Sequence, residues 1–337
     1  MIHRNVELHN VVELESREYY PGVGLHRFPA SVRNALGKRG KLVSRQSSGC
    51  EIRFVSGSPQ VCVSLSSFDS NGEALVFYGD IFHSKHSLIQ GSIHTILLEK
   101  PVELENMNSK VWSNANFSLG VWRVMTGRYH AVFHGVDTFG GGCRPPNDSE
   151  LPRLRWLAYG SSITHSAHAT HQGNAYVSQT AMRLGLDVLN AGLSGACLCE
   201  REVADYLSER EDWDIATLEI GVNMRSGFSP EQFHSRADYL IERMANKGPG
   251  KPVVLITSYP NAASAELIPS DSGKNQHEFN HILRELSSGY TNVHLFEGSD
   301  ILSSYSGLTY DMIHPSDYGH VLMAENLSRL LRPVLPV

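Results

Sequence analysis

Over roughly the first 140 residues the chain alternates apolar and polar positions at the two-residue period of a β-strand. Ile52 and Phe54 alternate with charged neighbours, and Val61, Val63 and Leu65 alternate with Cys62 and Ser64. Further runs at Ala74–Tyr78, Ile93–Leu98, Val121–Met125 and Tyr129–Phe133 are short, rich in β-branched and aromatic residues, and bounded by Gly, Ser, Asn or Pro. Such runs, spaced about ten residues apart, predict an all-β sandwich or jelly roll. Gly140–Asp148 is a Gly/Pro segment without periodicity, so the domain boundary is expected there, giving residues 1–148 and 149–337. Beyond it the texture changes. Strand-like runs at Leu154–Tyr159, Asp187–Asn190, Ile215–Ile220, Val253–Thr257 and Asn292–Phe296 alternate with amphipathic stretches around 175–184, 200–209, 230–246 and 275–288, and a last helix is expected after Pro315. This alternation predicts an α/β domain whose parallel sheet is covered on both faces, with its chemistry just past the carboxyl ends of the strands.

Composition narrows the function classes. The 337 residues are 41% hydrophobic and 19% charged, with a net charge of −6. The part up to Asp148 carries +2 and the remainder −8, so neither half offers the basic surface that duplex nucleic acid demands. The longest aliphatic run is Val253–Ile256, far short of the ~20 apolar residues of a membrane span, so no membrane partner is expected. Met1–Glu7 contains no apolar leader, and the five cysteines (Cys50, Cys62, Cys143, Cys197 and Cys199) form no disulfide or zinc spacing. Free thiols and a cytoplasmic location are therefore expected.

Four short motifs fall after an expected strand or before the last expected helix. Gly160-Ser161-Ser162-Ile163-Thr164 follows the first α/β strand, where Ser162 would head a helical segment with its Oγ exposed near free N–H groups. Asn190-Ala191-Gly192-Leu193-Ser194-Gly195 ends the second strand and Gly221-Val222-Asn223-Met224 the third; a glycine admits close approach to a backbone N–H, and an Asn amide adds donors. In Asp311-Met312-Ile313-His314-Pro315 a histidine could accept a proton from Ser162 while Asp311 orients it. Each motif alone reads first as turn or capping chemistry.

Taken in order, Ser162, Gly195, Asn223 and the Asp311/His314 pair resemble the blocks of the SGNH, or GDSL-type, hydrolases over roughly residues 153–332. The resemblance implies a three-layer flavodoxin-like domain in which Ser162 attacks an acyl carbonyl, His314 serves as general base and then acid, and Asp311 orients His314. It implies an oxyanion hole made by the N–H groups of Ser162 and Gly195 and the Asn223 side chain, with no metal and no organic cofactor. Two positions depart from the pattern: Ser161 stands where Asp is usual, and Met224 where Asp is common. An upstream β-sandwich joined to such a domain is similar to certain carbohydrate acetyl esterases and related acyltransferases.

Other features carry weaker expectations. His165, His168 and His171 would share a helix face, but no acidic or Cys ligand lies in the segment, so a metal is not expected. His165, close to Ser162, and Arg225, close to Asn223, are candidate substrate-binding residues. Trp112 and Trp122 are expected in strands as core, and His83 and His86 in a loop. The expected function is a serine esterase acting on small acyl esters, acetyl first among them, of small molecules or carbohydrates. The alternatives are an acyltransferase using the same acyl-enzyme and a catalytically silent glycan-binding protein; oligomeric state is left open.

Overall fold

The computed structural model describes residues 1–18, 20–247 and 250–336. The chain divides into two compact units. The first comprises Met1–Pro29, Ser44–Arg153 and Gly185–Asp187, and the second Ala30–Val43, Leu154–Leu184 and Val188–Val337.

The first unit is built of two antiparallel sheets. One runs in the order β1 (Ile2–His3), β2 (Val6–His9), β5 (Glu51–Val55), β10 (Val121–Thr126), β7 (Gly72–Tyr78), β8 (Ile81–Leu88). The other runs β3 (Glu13–Arg17), β4 (Tyr20–His26), β11 (Ala131–Asp137), β6 (Gln60–Ser67), β9 (Ile93–Glu99). The alternation in β6 is a core face: Val61, Val63 and Leu65 are fully buried with Ile52, Phe54, Val76, Trp122 and Val124 of the other sheet. At ~25 cal/mol per Å² of apolar surface removed from water, each such side chain contributes about 1.5–3 kcal/mol.

The structure adds strands that the sequence pattern did not show, and corrects three expectations. β1 to β4 and β8 are new, and His83 and His86 lie in strand β8 rather than in a loop. Tyr129 and His130 precede their strand, which begins at Ala131. Trp112 sits in a short 3-10 turn, Ser109–Trp112, where Asn108 Oδ1 accepts the Lys110 N–H; Trp122 is in β10 and buried. Within the same unit the fully buried Arg53 donates from both terminal nitrogens to Asp187, at 2.7 and 3.0 Å.

In the second unit a five-stranded sheet has the order β13 (Leu186–Gly192), β12 (Leu154–Gly160), β14 (Ile215–Glu219), β15 (Val253–Ile256), β16 (Val293–Phe296). The β12–β14, β14–β15 and β15–β16 pairs are parallel. Counted from β12, this is the 2-1-3-4-5 order of flavodoxin-like folds, whose crevice opens where the strand order reverses, at the carboxyl ends of β12 and β14. Every residue of β14 and β15 is buried, as helices on both faces require. On one side α3 (Tyr176–Leu184) packs on α8 (Asp317–Leu331). Elsewhere α4 (Arg201–Glu209) packs on α5 (Pro230–Lys247), and α5 on α6 (Asp271–Ser287). A short helix, α7 (Gly298–Ile301), also packs on α8.

Local chemistry sets the helix starts. Pro230 opens α5, where its missing N–H costs nothing. Ser270 caps α6 by accepting the Gly273 N–H at 3.2 Å, so that helix begins four residues before the apolar periodicity. Ser316 caps α8 in the same way, directly after Pro315. Two further short helices, α1 (Ala30–Ala35) and α2 (Lys38–Val43), come from the N-terminal part of the chain but belong to this second unit, where α1 packs on α4. No helix among the described residues is long and apolar enough to cross a membrane.

Candidate active site

β12 ends at Gly160, directly opposite Glu219 at the end of β14. A Cβ at position 160 would lie 2.6 Å from Glu219 Oε2 and collide with Thr164 Oγ1, so only glycine fits. Glu219 Oε2 accepts from the Ser161 N–H (2.7 Å), the Ser161 hydroxyl (2.7 Å) and the Thr164 hydroxyl (3.1 Å). These bonds pin the turn that carries the next residue, Ser162. Burial pushes the Glu219 carboxyl up to about 7, and the hydroxyl and backbone donors recover only part of that shift. Where the GDSL pattern has an Asp at position 161, this chain has a serine whose carboxylate partner comes from the neighbouring strand. The one sequence signal for Glu219 was a lone acid inside the apolar run Ile215–Ile220.

Ser162 does not head a helix. A single turn follows it, with His165 N–H on Ser161 O (3.0 Å) and Ala167 N–H on Ser162 O (2.8 Å). Ser166 and His168 then take left-handed φ values of 68° and 64°, which ends the turn well before α3. The Ser162 N–H has no acceptor among the described residues. Its Oγ lies 2.7 Å from His314 Nε2.

His314 comes from the loop before α8, and its other ring nitrogen, Nδ1, lies 2.7 Å from Asp311 Oδ2. Asp311 Oδ1 accepts from the Thr309 hydroxyl (2.9 Å) and from the N–H groups of Ile313 (2.9 Å) and His314 (3.0 Å). Partial burial raises the Asp311 pKa, but these bonds outweigh it and hold the carboxyl well below the usual carboxylate range. The acid is therefore ionised at neutral pH and fixes Nδ1 as the protonated nitrogen, which leaves Nε2 free to accept a proton from Ser162.

Gly195 and Asn223 stand at the ends of β13 and β14, as the sequence places them. Gly195 is exposed with φ +68°, a conformation that glycine adopts without a Cβ penalty, and its N–H has no acceptor among the described residues. Asn223 Oδ1 accepts the Cys197 N–H at 3.2 Å, which leaves the amide nitrogen as the donor end. The Ser194 carbonyl receives Arg39 Nε at 3.1 Å, a contact from α2 that the sequence pattern did not reveal.

The two candidate substrate-binding residues fare differently. His165 is fully buried, and its Nδ1 accepts the Ser194 N–H at 3.2 Å, so it braces the Gly195 loop and cannot face a substrate. Arg225 is largely buried, and its Nη1 donates to Asn261 Oδ1 at 2.8 Å and to Gln276 Oε1. Those partners are neutral amides, so burial lowers its pKa with only Glu266 nearby to oppose the shift. His168, for which no metal is expected, lies beside the relay. Its ring stacks on that of His314 (4.6 Å between centroids, 22° apart), and its Nε2 lies 3.5 Å from Asp311 Oδ2.

Among the described residues, two donor groups could hold a cation. His168, Asp311 and His314 have ligand atoms within 4.8 Å of one another, but a cation there would compete with the Asp311–His314 pairing. In the first unit Glu15, His26 and His130 converge similarly, with the Glu15 carboxylate already engaged by Arg17 and His26.

Among curated protein sequences none matches the chain. In overall structure it is similar to the salicylyl-acyltransferase SsfX3 from a tetracycline biosynthetic pathway (TM-score 0.78, 16% identity, 98% of this chain and 96% of that one). It is also similar to a GDSL-like lipase from Bacteroides ovatus (TM-score 0.69, 18% identity, 98% and 96%). A family two carbohydrate esterase from Cellvibrio japonicus aligns over the same shares (98% and 96%), with a TM-score of 0.64 and 14% identity. These likenesses establish a shared two-part fold. The model of the GDSL-like lipase/acylhydrolase family matches residues 155–332, more than half of the chain. The chain therefore belongs to the GDSL-like lipase/acylhydrolase family and is an ester hydrolase of that fold.

Proposed function

We propose that the protein is a serine esterase that removes small acyl groups, acetyl first among them, from small-molecule or carbohydrate esters. The carrying observation is the relay from Ser162 Oγ through His314 to Asp311, two contacts of 2.7 Å ending on an acid held ionised. Ser162 Oγ attacks the acyl carbonyl carbon as its proton passes to His314 Nε2, and the resulting imidazolium faces the Asp311 carboxylate. The carbonyl oxygen becomes an oxyanion within reach of the Ser162 and Gly195 N–H groups and the Asn223 amide; one such donor is worth about 3 kcal/mol of barrier. Collapse breaks the ester C–O bond, and the alcohol leaves with the proton from Nε2. A water then attacks the acyl-serine, gives its proton to Nε2, and releases the acid and free Ser162 in the reverse sense.

Ser162 exposes 7% of its surface, which favours a compact acyl group. Arg225, a largely buried cation held by neutral amides, is read as the group for a carboxylate or sugar hydroxyls of the substrate. The same acyl-serine passes its acyl group to an alcohol if that alcohol reaches it before water, and an acyltransferase is among the structural relatives. The test is hydrolysis of aryl esters from acetyl to octanoyl, with and without an acceptor alcohol, parent beside Ser162→Ala. Activity in the parent alone, highest for acetyl, is expected. Equal rates in the two proteins refute the mechanism, and an ester product with the acceptor present converts the reading to transfer.

A further inference from the structure

We propose that Arg39 is a positioning residue for the oxyanion site: by holding the carbonyl of Ser194 it sets the direction of the Gly195 N–H. The inference rests on the esterase reading above. It begins from the geometry of one peptide unit. In a trans peptide the C=O and the following N–H point in opposite directions, and no described peptide bond here is cis. Arg39 Nε donates to Ser194 O at 3.1 Å, so the N–H of Gly195 in the same unit is aimed to the other side. The Ser194 N–H is meanwhile taken by His165 Nδ1. Both polar groups of Ser194 are thus held, and the next group along, the Gly195 N–H, is left without an acceptor among the described residues.

A clamp is needed there because the backbone alone does not hold this orientation. Flipping the 194–195 peptide changes only ψ of Ser194 and φ of Gly195. Glycine adopts either sign of φ with little penalty, and Gly195 sits exposed at +68°. A flip would turn a carbonyl toward the developing oxyanion in place of an N–H, replacing a donor by a repelling dipole. A cationic donor on the carbonyl stabilises the productive orientation and polarises the N–H at its other end. The guanidinium lies against the glycine itself: a Cβ at 195 would be 3.6 Å from Arg39 Nε.

Arg39 stands in α2, on a stretch of chain between β4 and β5 that belongs to the second unit, 155 residues before its partner. A cut at the expected boundary, residue 148, would therefore remove part of the oxyanion apparatus along with the sandwich.

The test uses the full chain with Arg39→Ala and Arg39→Lys. The expected result for Arg39→Ala is a kcat lower by about tenfold or more, below the 10²–10³ of a donor lost outright, with KM within about twofold and the melting temperature unchanged. Millimolar ethylguanidinium should restore part of the lost kcat, since the side chain is exposed enough to be replaced from solution. Arg39→Lys should fall between the two. A parent-like kcat in Arg39→Ala overturns the proposal, as does a loss explained by KM or melting temperature without rescue. A measurement independent of turnover separates this from failure of the esterase reading. In amide NMR spectra the Gly195 cross-peak should be single in the parent and broadened or doubled in Arg39→Ala. An unchanged Gly195 peak refutes the clamp even if the parent hydrolyses no ester at all.

Discussion

Replacing Glu219 by Gln isolates the cost of the buried carboxylate beneath the nucleophile turn. The carboxyl is raised from 4.5 to about 7, chiefly because burial disfavours its charge. A tenfold change in proton affinity corresponds to about 1.4 kcal/mol, so the ionised form costs the fold about 3 kcal/mol. The sign follows from proton counts. Between pH 4.5 and 7 the folded chain keeps a proton that the unfolded chain has lost, so this group's contribution becomes less favourable as pH rises and is fully lost above 7. His130 and His320, held down to about 4 chiefly by burial, act in the opposite direction by weakening the fold as pH falls below 6.5. Their effect is common to both proteins, so the difference between them reports Glu219 alone. Urea unfolding followed by tryptophan fluorescence should show the parent losing about 2–3 kcal/mol relative to Glu219→Gln between pH 5 and pH 8. The infrared band of a protonated carboxyl should be present at pH 6, absent at pH 8, and missing from the variant. A stability difference that stays constant across this range would show that Glu219 titrates normally and refute the reasoning.

Two other substitutions give separate readouts. In Asp311→Asn the amide would donate to His314 Nδ1 and hold the proton on Nε2, the nitrogen that must accept from Ser162; kcat should fall by about 10³–10⁴ with folding intact, as far-ultraviolet circular dichroism would verify. A variant within tenfold of the parent would remove Asp311 from the relay. Asp187→Ala strands the buried Arg53 with its Glu51 and Glu7 partners alone and should cost about 3 kcal/mol or more in urea unfolding; a loss under ~1 kcal/mol would mean that solvent reaches Arg53.

Much of this protein was legible in the order of its residues. The switch from alternating runs to strand–helix repeats, the five parallel strands and the helices between them depend on short-range periodicity, which is local information. Ser162, Gly195 and Asn223 follow strand ends because in an open α/β sheet those ends are where loops gather, and Asp311 and His314 come from the loop before the last helix. The strands that escaped notice are mostly edge strands: β1, β3 and β8 border their sheets, and β8 (IFHSKHSL) carries polar residues that give no two-sided apolar signature. Tertiary structure alone decided what supports the site. Whether Ser162 headed a helix turned on the left-handed residues Ser166 and His168. His165, adjacent to the nucleophile in sequence, is buried as a brace, whereas His168 stacks on His314. Ser161 meets its carboxylate across 58 residues and Ser194 its guanidinium across 155. Such pairings depend on which strands become neighbours and which distant segment folds back over them, and no local pattern of apolar and polar residues encodes that.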